Sequence, residues 1–113
     1  MRFILKAKTK TLKGNITLPA SKSISNRVLI IRALAQTPFK IDNLSDADDT
    51  VIISKALERN DMITDVGPAG TAMRFLTAYY ASRPGEKVLT GSDRMKQRPI
   101  SILVDSLREL GAN

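Results

Sequence analysis

Apolar positions recur at helical spacing in four stretches of the chain, and short β-compatible runs fall between them. From Ser21 to about Ala35, the residues Ile24, Val28, Ile31 and Leu34 mark one face of a helix. Leu29 and Ile30 widen that face, so burial on more than one side is expected. Either Ser21 or Ser23 can cap its start, and Thr37-Pro38 stops it. A second helix follows a cap at Ser45 or Asp46 and carries Val51, Ile52, Ala56 and Leu57. A third runs from near Gly70 to about Ala81. A fourth starts at Pro99, carries Ile100, Leu103, Leu107 and Leu110, and stops at Gly111. Extended runs are expected from Arg2 to Lys6, Asn15 to Leu18, Phe39 to Leu44, Met62 to Val66 and Lys87 to Thr90. Gly14 and Arg83-Pro84-Gly85 supply turns. Strands alternating with helices predict an α/β layered fold. A faint internal echo supports this: TLPASKSISNRVLI and VLTGSDRMKQRPISILV both run strand, Ser/basic loop, helix.

Composition narrows the chemistry. The 113 residues are 42% hydrophobic, enough for a core, but only 4% aromatic, so Leu, Ile, Val, Ala and Met must fill it. There is no cysteine and no histidine. Disulfides and thiolate chemistry are thereby excluded, and the commonest metal ligand and neutral-pH base are missing. Proton transfer would fall to Lys, Asp, Glu, Tyr or water. The start MRFILKAKTKTLKG has an apolar run too short for a signal core or a membrane span, so a cytoplasmic location is expected. A net charge of +7 points to acidic partners, whether nucleic acid, a membrane surface or phosphorylated metabolites.

The placement of the cations discriminates further. Helix amino ends carry partial positive charge and favour Asp and Glu. The second helix obeys, with Asp46, Asp48 and Asp49 at its start. The others do not. Lys22 and Arg27 open the first helix, Arg74 follows Gly70 and Thr71 in the third, and Arg94, Lys96 and Arg98 precede Pro99. Each such cation costs a few tenths to about 1 kcal/mol, and a bound anion reverses the sign. The bland alternatives are a solvated lysine, surface arginines paired with the acidic cluster, and a solvated RMKQR run. The acidic trio reads as capping residues, not as a metal site.

Three longer segments, LPASKSISNRVLI, GPAGTAMRFL and LTGSDRMKQRPISILVDSLRELGA, resemble the successive amino-terminal motifs of the 5-enolpyruvylshikimate-3-phosphate synthase family, with NLSDADDT in its place between the first two. The resemblance spans nearly the whole chain and about the first quarter of the family's usual length. It implies a fold of two similar domains built from repeated β-α-β-α-β-β units. It also implies transfer of the enolpyruvyl group of phosphoenolpyruvate to the 5-hydroxyl of shikimate 3-phosphate, on the route to chorismate and the aromatic amino acids. No metal and no organic cofactor are expected.

At matching positions, Lys22 would contact both substrates, and Ser23 and Arg27 would hold shikimate 3-phosphate. Gly70 would offer its backbone to the phosphoenolpyruvate phosphate, Arg98 would clamp it, and Thr71 and Arg74 would shape that loop and helix start. Pro68 and Phe75 depart from the family's usual Asn and Pro, and the stretch from Leu57 to Gly67 is shorter than in many members. The family's proton-transfer residues lie in later segments, so residues 1–113 are expected to carry no catalytic residue and to be inactive alone. The first strand is expected to belong with a second domain, which leaves an open edge and a tendency to self-associate; the full-length enzyme is expected to be monomeric.

Three rivals remain at this level, one of them a purely structural fragment with no site of its own. A related transferase acting on a UDP-sugar shares the fold, but SKS and RMKQRPI fit the shikimate enzyme better. A basic nucleic-acid module would need more aromatics and a continuous stripe of charge, so neither nucleic acid nor membrane is expected as a partner.

Overall fold

A helix start needs partners for its first N–H groups, and the first helix finds one in its own sequence. The Ser21 side chain accepts from the Ile24 N–H at 3.4 Å, and its carbonyl accepts from the Ser25 N–H at 2.9 Å. In the computed structural model, which describes residues 1–35, 39–59 and 61–113, this opens α1 (Lys22–Ala35). There follow α2 (Asp48–Glu58), β1 (Ile63–Asp65), α3 (Gly70–Ala81), β2 (Val88–Thr90), the single turn α4 (Asp93–Lys96) and α5 (Ser101–Glu109). Among the described residues no helix is long and apolar enough to cross a membrane.

The two strands pair in parallel, Ile63 with Val88, Thr64 with Leu89 and Asp65 with Thr90. A parallel pair needs a crossover, and α3 supplies it. The loops leaving the two strands therefore start side by side, tied by the Ser92 N–H donating to Gly67 O at 3.1 Å. A Cβ at Gly91 would lie 2.7 Å from that same carbonyl, so only glycine permits this approach.

The core gathers around α3, which packs on α1, α2, α5 and β2. Leu29, Ile53, Ala56, Val66, Ala69, Ala72, Leu76 and Met95 are buried there, with Ile41, Leu44, Phe75 and Leu89 packed at its margin. Polar groups lock α1 onto α2: Thr50 Oγ1 donates to Asn26 Oδ1 at 2.6 Å, and the Ser45 N–H donates to Ser25 Oγ at 3.0 Å. Both bonds are buried, which makes the register between the helices costly to change.

Several expectations are corrected. Arg2 to Lys6, Asn15 to Leu18 and Phe39 to Leu44 form no strand. A strand exists only by pairing, and residues 1–20 meet no ladder partner among the described residues. Their apolar side chains, including Leu5, Leu12 and Leu18, are exposed. Between Phe39 and Leu44 the backbone turns through a positive φ of 58° at Asn43, which breaks the extended run. Thr37-Pro38 lies outside the described residues.

On α1 the buried face is Ser25, Asn26 and Leu29; Ile24, Ile31 and Leu34 are exposed. On α2 it is Thr50, Ile53 and Ala56. The last helix starts at Ser101 instead of Pro99, and a separate turn of helix precedes it at Asp93. Its end is as read. Gly111 takes φ 98°, with Ala112 N–H donating to Leu107 O at 3.0 Å and Gly111 N–H to Arg108 O at 2.9 Å, a Schellman closure.

Tyr80 ties α3 to the end of α2 through its hydroxyl, which donates to Ala56 O at 3.1 Å. Burial pushes its pKa above the usual 10.0, partly offset by a hydrogen bond with Thr64. The folded state therefore holds this proton more tightly than the unfolded chain does. The associated stability is complete below the ordinary tyrosine value and is lost as pH rises through the raised one. Urea midpoints measured across the alkaline limb are expected to fall less steeply for Tyr80→Phe than for the parent chain.

Candidate functional site

The amino ends of α1, α2 and α3 converge, and the segment after α4 closes the fourth side. Lys22, Ser23, Arg27, Gly70, Thr71, Arg74 and Arg98 all line the resulting open cleft of about 500 Å³, together with Asp49, Pro68 and Phe75. All seven residues singled out from the sequence are thus brought together, from positions as far apart in the chain as Lys22 and Arg98.

Local structure sets each side chain. Lys22 and Ser23 open α1, and Arg27 follows one turn on, its Nη1 donating to Ser23 O at 2.9 Å. The Arg27 guanidinium also lies over the Phe75 ring, 5.7 Å from its centroid. A cation held on an aromatic face keeps its charge but loses freedom, so Phe75 orients Arg27 towards the cleft. Arg74 bridges two segments, with Nη1 donating to Gly70 O at the start of α3 at 3.5 Å and Nη2 to Pro99 O at 3.2 Å. It fastens α3 to the segment before α5.

The start of α3 has no cap of its own. Ala69 stands at its N-cap position and offers no side-chain bond. The missing acceptor comes from α2: Asp49 Oδ1 accepts from the Thr71 N–H at 3.0 Å and the Ala72 N–H at 3.4 Å. Its second oxygen, Oδ2, lies 3.6 Å from Lys22 Nζ. One carboxylate therefore serves two helix starts. No hydrogen bond to the Gly70 N–H is found among the described residues, and Gly70 lines the cleft.

Arg98 covers Gly70. A Cβ added there would collide with the Arg98 guanidinium, a contact only a residue without a side chain allows. The cleft holds four cations, Lys22, Arg27, Arg74 and Arg98, against the single carboxylate of Asp49. Such a surplus beside a helix amino end and a serine hydroxyl can receive a phosphate-sized anion. Among the described residues no three His, Cys, Asp or Glu side chains stand close enough to hold a metal ion.

Lys22 does stand at the start of α1, but Asp49 Oδ2, 3.6 Å from its Nζ, already supplies part of the counter-charge. Arg94 and Lys96 instead occupy the last turn of α4, where cations are favoured, and neither lines the cleft. The sequence reading also left Asp49, Pro68 and Phe75 out of the substrate-binding set. Asp49 had a detectable signal: GPAG offers no capping residue to α3, so an acceptor had to come from elsewhere.

Gly70→Ala tests the close approach. Methyl insertion is expected to push Arg98 off Gly70 and to weaken inorganic phosphate binding by about tenfold, the worth of one charge-assisted bond. Isothermal titration and a melting curve together read this; the affinity should fall while the melting temperature barely moves.

A sequence model described as EPSP synthase (3-phosphoshikimate 1-carboxyvinyltransferase) matches residues 6–59 and 51–113. Curated proteins named 3-phosphoshikimate 1-carboxyvinyltransferase, from Bacteroides fragilis strains YCH46 and NCTC 9343, are each 56% identical to this chain over 113 residues, covering 100% of it and 27% of the relative. A protein of the same name from Vibrio vulnificus strain YJ016 is 41% identical over 129 residues, covering 91% of this chain and 30% of the relative. The chain thus spans between about a quarter and a third of the length of these relatives.

Proposed function

We propose, from the fact that the chain belongs to the EPSP synthase family, that residues 1–113 form one wall of the site in which an enolpyruvyl group passes from phosphoenolpyruvate to the 5-hydroxyl of shikimate 3-phosphate. The relatives carry that activity in their names. The observation that carries the reading is the cleft itself: cations from α1, α3 and the segment after α4 line it together with Gly70, the first residue of α3.

In this reading the Gly70 N–H and Arg98 hold the phosphate of phosphoenolpyruvate. Ser23 and Arg27 hold shikimate 3-phosphate, and Lys22 stands between the two substrates. Thr71 and Arg74 fix the loop and helix start that present Gly70. Addition of the 5-hydroxyl to the enolpyruvyl carbon, followed by loss of phosphate, moves charge within a cluster whose cations are already in place. Fixed charges of that kind stabilise the transition state without reorganising. The acids and bases that move protons belong to segments outside residues 1–113, so the chain by itself binds anions and does not turn over. The β1–α3–β2 crossover fits one piece of a repeated β-α-β-α-β-β unit, with the site outside the carboxyl ends of the strands. Residues 1–20, whose apolar side chains are exposed, would pair with a second domain.

Titrating shikimate 3-phosphate, and separately phosphoenolpyruvate, into the ¹⁵N-labelled chain tests the reading. The Ser23 amide is expected to shift with the first ligand and the Gly70 amide with the second, each saturating at one equivalent. Silence at both positions would sink the assignment. A response that spreads over many basic residues and collapses with salt would favour a nucleic-acid surface instead.

A further inference from the structure

We propose that Asp49 is a positioning residue, whose carboxylate holds Lys22 and the amino end of α3 in one fixed arrangement across the cleft. The inference deepens the anion-site reading and rests on it only for what the arrangement is for. Its geometry is independent of any ligand. Asp49 lies in the first turn of α2, and its side chain is only 15% exposed against 48% for Lys22. Oδ1 receives the Thr71 and Ala72 N–H groups, and Oδ2 faces Lys22 Nζ.

Two features make the carboxylate more than a cap. First, it lies between groups from different helices, so α1 and α3 are coupled through α2 at the mouth of the cleft instead of only through the core. Second, it removes two of the α3 donors from competition and leaves the Gly70 N–H outside its reach. The side that meets a ligand is thereby defined by a protein acceptor. Pre-set geometry of this kind lowers the ordering cost at binding.

Asn and Ala replacements separate the two contacts. Asparagine keeps an oxygen of the same reach for the α3 N–H groups but has no charge for Lys22; alanine loses both. In the ligand-free chain, Asp49→Ala is expected to speed hydrogen exchange at the Thr71 and Ala72 amides by about tenfold or more, relative to amides elsewhere in α3. Asp49→Asn is expected to restore slow exchange there. The Lys22 ¹³Cε signal is expected to move in both variants, a signature that a cap acting on α3 alone would not produce. Unchanged exchange in Asp49→Ala, or a Lys22 signal indifferent to Asp49→Asn, overturns the proposal. If Asp49→Ala loses the Leu29 and Ile53 methyl signals of the folded core, the Lys22 signal in Asp49→Asn decides alone: movement supports the proposal and constancy overturns it. The same samples are then titrated with inorganic phosphate. A parent chain whose Gly70 amide ignores phosphate counts against the anion-site reading, while the ligand-free data still judge Asp49.

Discussion

Leu76→Ala is expected to cost about 2–5 kcal/mol of folding stability, the range for truncating a fully buried leucine. Leu76 is 0% exposed and sits mid-way along α3, the helix that touches α1, α2, α5 and β2. Its loss opens a void where these elements meet, and the surrounding side chains cannot all move into it at once. Domains of this size are stable by about 5–15 kcal/mol in total, so the variant forfeits a large fraction. The control is Ile102→Ala on α5, where the side chain is 82% exposed and the change should stay within about 0.5 kcal/mol. Urea unfolding of both reads the difference. Equal midpoints would mean that α3 does not organise the core. Because α3 also presents Gly70, Thr71 and Arg74, partial unfolding should weaken ligand binding in proportion to the unfolded fraction.

Lys22→Ala carries the largest expected effect on binding, a loss of about 10–100-fold in phosphate affinity, the span of a charged hydrogen bond. More than one contact is involved. Removing the ammonium leaves the Asp49 carboxylate, 15% exposed, facing the cleft without its 3.6 Å partner. That charge then repels the incoming anion. The double variant Lys22→Ala/Asp49→Ala should accordingly bind phosphate more tightly than Lys22→Ala alone. Strict additivity of the two substitutions would show that the residues do not communicate. Calorimetric titration at fixed ionic strength is the appropriate measurement, since exposed charges are screened by salt.

Helices were the most legible part of the chain. The span from Gly70 to Ala81 and the stop at Gly111 follow from local periodicity and from a residue that accepts positive φ. Strands were less so, because a β-compatible run becomes a strand only when another segment supplies the ladder. Ile63–Asp65 and Val88–Thr90 found each other; Phe39 to Leu44 found no partner among the described residues. The inward faces of α1 and α2 were read only in part, Leu29 and Ala56 being named but Ser25, Asn26, Thr50 and Ile53 not, for a related reason. Apolar spacing marked Ile24 and Ile31, whereas the Asn26–Thr50 bond and the Ser25–Ser45 bond turned the helix so that Leu29 is buried. Polar side chains decided the rotation, and hydropathy does not register them.

The segment SKSISNR, with its cations at a helix start, raised the expectation of an anion site from sequence alone, because the dipole rule makes Lys22 unfavourable without a compensating negative charge. The motifs around it supplied the family. What one dimension could not contain was the meeting of three helix starts, which depends on how α1, α2 and α3 pack. Only that packing set Asp49 between Lys22 and the α3 amides, laid Arg27 on Phe75, and drew Arg98 over Gly70. The sequence determined which residues carry charge and where helices begin; distance in space, fixed by the shared core, determined which of those charges act together.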